Sequence, residues 1–140
     1  MTKAKMIAFK VNGDERGSLV AIEGEKQLGF KIARVFYMFG MDKDTVRGKH
    51  ANRDSTICFI ALKGSCRVTV DDGLCRETFI LDAPEKELVC YPLSWKEMEG
   101  FSPDCVLAGI CDTPYDAGEY IADYEAFSKE VRGEKEVIGE

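Results

Sequence analysis

A chain of 140 residues with a single histidine has few ways to do chemistry near neutral pH. That residue, His50, sits in the segment R-G-K-H-A-N, Arg47 to Asn52. Three chemistries could use it. A metal site built from His50 and carboxylates is short of nitrogen and sulfur ligands, and no two of the six cysteines stand in C-x-x-C spacing, so no metal is expected. A Cys–His nucleophile would need a thiol beside His50. Most of Cys58, Cys66, Cys75, Cys90, Cys105 and Cys111 lie in apolar runs such as T-I-C-F-I-A-L, which read as buried, reduced thiols. The third chemistry is proton transfer at carbon, for which an imidazole ionising near neutrality is suited. Tyr37, upstream of the segment, could donate to or relay a proton with a substrate oxygen. Arg34, Arg47 and Arg53 would suit a phosphorylated ligand or a developing enolate oxygen. The plainer reading stands beside this one. A lone histidine can be a surface residue, strand arginines commonly face solvent, Arg47 can cap the turn before Gly48, and Trp95 reads as core.

The elements that must position these residues read mostly as short strands between turns, hence an all-β sandwich or barrel. Candidate strands are residues 7–11, 18–23, 31–40, 55–62, 65–70, 75–81, 86–93 and 104–111, with N-G-D-E-R-G and Asp71-Asp72-Gly73 as turns. Within 65–70, alternation puts Cys66, Val68 and Val70 on one face and Arg67 and Thr69 on the other. The period changes near the end, where Tyr120, Ile121, Tyr124, Phe127 and Val131 share a helical face. The spacing predicts one C-terminal helix over about residues 116–132, with Gly133 as its stop and a frayed tail after it. No repeat or linker divides the chain, so residues 1–140 are read as one domain.

Composition limits the partners. Hydrophobic residues make up 45% and charged residues 31%, as in a globular protein, and the net charge is −6. With no basic stripe, nucleic acid is not an expected partner. No segment is long and apolar enough to span a bilayer, and the start M-T-K-A-K-M-I-A-F-K holds no apolar run of signal length, so no membrane partner and a cytoplasmic location are expected.

Several motifs in order give the chain a family likeness: D-E-R-G-S-L-V-A-I-E, R-V-F-Y-M-F, R-G-K-H-A-N, K-G-S-C-R-V-T-V-D-D-G, W-K-E-M, F-S-P-D-C-V-L and Y-I-A-D-Y-E-A-F. Together they resemble the nucleotide-sugar 3,4-ketoisomerases, cupin-fold enzymes acting on dTDP-4-keto-6-deoxyglucose, from about Gly13 to Phe127. The resemblance implies a cupin-type jelly roll and a reaction that moves a ketone from C4 to C3 through an enediol, in dideoxy-aminosugar synthesis, with no redox cofactor or metal. It implies His50 as the base, Tyr37 as acid or relay, and a homodimer with exchanged strands. Asn52 stands where the family usually has a second histidine, and Lys96 where relatives often carry histidine or arginine. Arg16 and Lys96 fall at places expected to govern how the sugar sits, which leaves a galacto or a gluco product open. Arg34, Arg47, Asn52, Arg53, Arg67 and Trp95 complete the expected substrate-binding set. Two other functions fit the same scaffold: a non-catalytic nucleotide-sugar-binding cupin, and a 3,5-epimerase.

Overall fold

The computed structural model describes residues 3–138. Its frame is two five-stranded antiparallel sheets packed face to face, the cupin-type barrel expected. One sheet runs β1 (Ala4–Ala8), β9 (Lys86–Cys90), β6 (Ile57–Lys63), β11 (Val106–Cys111) and β4 (Arg34–Phe39). The other runs β12 (Tyr120–Ile121), β5 (Arg47–Asn52), β10 (Trp95–Glu99), β7 (Cys66–Asp71) and β8 (Arg76–Leu81). A small hairpin, β2 (Asn12–Asp14) and β3 (Gly17–Leu19), stands apart from both sheets, and one turn of helix, α1 (Glu25–Leu28), follows it. No helix among the described residues is long and apolar enough to cross a membrane.

The core divides by strand parity. Inward-facing Met38, Phe59, Val68, Val70, Leu88, Met98 and Leu107 fill the space between the sheets. The outer face of the first sheet buries Cys58, Ile60, Val89 and Ile110 under Phe9 and Leu28. The outer face of the second buries Ala51 and Trp95 under Ile121 and Phe127. In β7 the expected alternation holds, with Cys66, Val68 and Val70 buried and Arg67 exposed, although Thr69 is covered as well. Five of the six cysteines are buried, all six are free, and Cys75 is exposed. Burial pushes the thiols of Cys66 and Cys90 up to about 12, so neither offers a thiolate nucleophile.

Several boundaries differ from the sequence reading. The first strand is Ala4–Ala8 rather than 7–11, and of 18–23 only the first two residues are extended, paired within the hairpin. The helix α2 (Tyr124–Ile138) begins later than residue 116. Asp116 accepts from the Gly118 amide and closes a 3-10 turn at Ala117–Glu119, after which Tyr120 and Ile121 pair with β5 as a strand. Asp123 is the real helix start, its carboxylate accepting from the Ala126 amide at 3.1 Å. At the other end the helix passes through Gly133. A glycine inside a helix costs only about 1 kcal/mol against alanine, and the E-K-E-V that follows favours helix. Of the expected frayed tail, residues 139 and 140 lie outside the described residues.

Candidate active site

The site begins with an extra residue in β5. Across the β5–β10 ladder Lys96 pairs with His50, but Glu97 pairs with Gly48, so Lys49 is left over as a bulge. Both residues of the bulge have left-handed backbones, Gly48 with φ of 86° and Lys49 with φ of 58°. A side chain at Gly48 would meet the Lys96 carbonyl oxygen at 2.8 Å, which explains the glycine. The consequence reaches the chemistry. In a regular strand Arg47 and His50, three apart, face opposite sides. The extra residue resets the alternation, and both line one cavity.

That cavity, about 300 Å³, opens between the sheets and is lined by Arg34, Phe36, Met38, Arg47, Gly48, His50, Ile57, Phe59, Met98, Tyr115 and Tyr120. It holds two guanidiniums and no carboxylate, so its field suits an anion although the whole chain is acidic. Tyr120 sits edge-on to His50 with ring centroids 4.9 Å apart. Arg34 lies 5.6 Å from the Tyr115 ring centroid and donates to the Cys111 thiol at 3.4 Å, while its Nε is buried without a partner. Among the described residues, no three of histidine, cysteine, aspartate and glutamate gather where they could hold a metal ion.

Buried polar groups surround the imidazole on the protein side. Lys96 is 1% exposed, and its ammonium donates to the Ser94 carbonyl at 2.9 Å. Burial holds the Lys96 amine below its ordinary value. Glu119 is also buried. Burial raises its pKa, but the Ser55 hydroxyl and the Asp54 and Ser55 amides all donate to it, and the carboxyl ends below its usual range. Asn52 is wholly buried beside Glu119, and its amide also helps to hold that carboxyl low. For His50, burial first and the Lys96 charge second hold the imidazole below its ordinary value. A backbone hydrogen bond at Gly48 and the Glu119 charge oppose them. The outcome is a neutral ring at pH 7, able to accept a proton.

Comparison with known proteins identifies the lineage of this site. The family described as WxcM-like, C-terminal (FdtA) matches residues 2–132. A TDP-4-oxo-6-deoxy-alpha-D-glucose-3,4-oxoisomerase from Aneurinibacillus thermoaerophilus is 42% identical over 125 residues, covering 89% of this chain and 90% of that protein. The chain belongs to the sugar-nucleotide 3,4-ketoisomerase family. Among solved structures, the TDP-fucose-3,4-ketoisomerase of Campylobacter jejuni is 35% identical with a TM-score of 0.89, covering 95% of this chain and 98% of that one. A variant of the Thermoanaerobacterium thermosaccharolyticum 3,4-ketoisomerase in complex with TDP-4-keto-6-deoxyglucose is 31% identical with a TM-score of 0.92, covering 95% and 96%.

Within this ketoisomerase scaffold the expected site residues separate. His50, Arg34 and Arg47 come together at the cavity. Tyr37 does not. It stands on the outer face of β4, 64% exposed and stacked on Phe39, because Phe36 and Met38 take the inward positions. Asn52 and Lys96 share the inner face of the sheet with His50 but are fully covered and stand outside the residues that line the cavity. Trp95 is core, packed against Tyr124 and Phe127 with its indole N–H donated to Glu97 at 2.8 Å. Arg53 clamps α2 by an ion pair to Glu130 at 2.6 Å, and Arg67 faces solvent 4.0 Å from Glu99. Arg16 is tied to Asp14 in the exposed β2–β3 hairpin, away from the cavity lining. The residues that sequence reasoning missed are Tyr115, Tyr120, Phe36 and the Gly48 bulge. Only the bulge left a readable signal, a glycine just before the histidine.

Proposed function

We propose that this chain converts a TDP-linked 4-keto-6-deoxyhexose into its 3-keto isomer, with His50 as the base. The observation that carries the reading is a half-buried imidazole, held neutral, at the wall of a cavity whose only charged lining groups are Arg34 and Arg47. The C4 ketone acidifies the hydrogen on C3. The imidazole takes that proton, the electrons move into the C3–C4 bond, and the resulting enediol is reprotonated at C4 by the imidazolium. The cationic lining favours the diphosphate and the developing enolate oxygen. The comparisons support the same reaction class, since the relatives named above carry that activity in their names. The test is to incubate the chain with TDP-4-keto-6-deoxyglucose and follow the sugar by NMR. Appearance of the 3-keto isomer supports the reading, and unchanged substrate beside a folded, TDP-binding protein sinks it.

The same proposal includes a homodimer. β4 is an edge strand, and Val35, Tyr37 and Phe39 on its outer face are 59%, 64% and 70% exposed. An apolar strip on a sheet edge is a surface that a second copy would cover. Light scattering at the mass of a monomer would remove this part.

A further inference from the structure

Moving a ketone from C4 to C3 transfers two protons, one from carbon to carbon and one from the C3 hydroxyl to the C4 oxygen. One imidazole accounts for the first. Asn52 cannot supply the second, because an amide does not titrate. Lys96 is buried outside the cavity lining with its ammonium held by the Ser94 carbonyl, and Tyr37 is outside the barrel. Among the groups that line the cavity, Arg34 and Arg47 stay protonated, so only the phenols of Tyr115 and Tyr120 remain. Tyr115 is at the rim and 67% exposed. Tyr120 is half-buried, in edge contact with the His50 ring.

We infer that Tyr120 is the catalytic acid of this chain, carrying the hydroxyl proton between the two sugar oxygens while His50 carries the carbon-bound one. In the first half, His50 removes the proton from C3 and the C3–C4 double bond forms. The carbonyl electrons pass to the C4 oxygen, which takes the phenolic proton of Tyr120. This leaves an enediol, an imidazolium and a tyrosinate. In the second half, the tyrosinate takes the C3 hydroxyl proton, the carbonyl forms at C3, and the imidazolium returns its proton to C4. Both side chains end as they began. Arg34 lines the same cavity as His50 and Tyr120 and is placed to hold the intermediate charge. The β12 pairing of Tyr120 with Asn52 fixes the ring on the inner face of β5.

This inference rests on the ketoisomerase reading, and its test separates the two. Tyr120→Phe keeps the ring that packs on His50 and removes only the hydroxyl. Turnover of TDP-4-keto-6-deoxyglucose should fall about a hundredfold or more, as for loss of a general acid. Affinity for TDP, read by calorimetry, should stay within about twofold, which also shows that the variant folds. The loss should fall on kcat, with KM within about twofold of wild type. Turnover in Tyr120→Phe within twofold of wild type, or a loss carried by KM alone, overturns the assignment while leaving the ketoisomerase reading intact. Absence of turnover in the wild type overturns both.

Discussion

Replacing Gly48 with alanine tests whether the β5 bulge aims the site. Gly48 has φ of 86°, a left-handed backbone that costs an L-residue roughly 1–2 kcal/mol. The new methyl would also meet the Lys96 carbonyl oxygen at 2.8 Å and the Met98 sulfur at 3.0 Å. The sulfur can swing away, but the carbonyl is backbone, so the β5–β10 ladder must shift, a strain of about 1–3 kcal/mol. Alanine also stiffens the unfolded chain, which offsets roughly 0.4–1 kcal/mol. The sum is a loss of about 1–5 kcal/mol. Because Lys96 is the register partner of His50, the shift should also turn the imidazole and depress turnover. The assay is urea unfolding of Gly48→Ala beside wild type, with initial rates on the same samples. Lys49→Gly is the control. Lys49 is the residue left over, with φ of 58°, so glycine relieves its strain and should keep both stability and rate. A Gly48→Ala protein as stable and as active as wild type would refute the claim that the bulge sets the site.

Two further outcomes follow from buried groups. Glu87 is fully buried in the ladder beside Phe9, with one carboxylate oxygen accepting from the Phe9 amide at 3.0 Å and the other without a partner. Burial pushes its pKa from 4.5 up to about 7, so between those values the folded state holds a proton that the unfolded state has released. Stability should therefore fall as pH rises through that window, by on the order of 2–3 kcal/mol, and Glu87→Gln should flatten the dependence. Urea midpoints at pH 5 and pH 8 measure it, and an equally steep Glu87→Gln protein would count against it. Phe127, fully buried against Trp95, anchors α2. Phe127→Ala should cost about 3–5 kcal/mol and expose the single tryptophan, read as a red shift in its fluorescence; an unshifted spectrum would show that α2 docks without it.

How far the sequence could be read depended on whether polarity marked a face. β7 was legible because its arginine sits between buried apolar residues. β4 was not. Val35, Phe36, Tyr37, Met38 and Phe39 are apolar or aromatic on both faces, so nothing in the sequence says which parity points inward, and a one-residue error sends Tyr37 out and Phe36 in. The β5 and β10 segments, R-G-K-H-A-N and W-K-E-M-E, carry too many charges to read as central strands. Their pairing comes from the fold, which buries Lys96 beside His50. Tyr120 was lost to the helix reading because its spacing to Tyr124 and Phe127 is helical, while Asp116 and Asp123 end one turn and start the helix later. His50, Arg34 and Arg47 were recoverable because their chemistry marks them.

The most direct test of the account is hydrogen exchange at one carbon. In deuterated water, the wild-type chain should introduce solvent deuterium at C3 or C4 of TDP-4-keto-6-deoxyglucose. His50→Gln, which keeps a hydrogen-bonding side chain but cannot take a proton, should bind TDP normally and introduce none. Deuterium entering the sugar at the wild-type rate in His50→Gln would contradict the claim that this imidazole is the base.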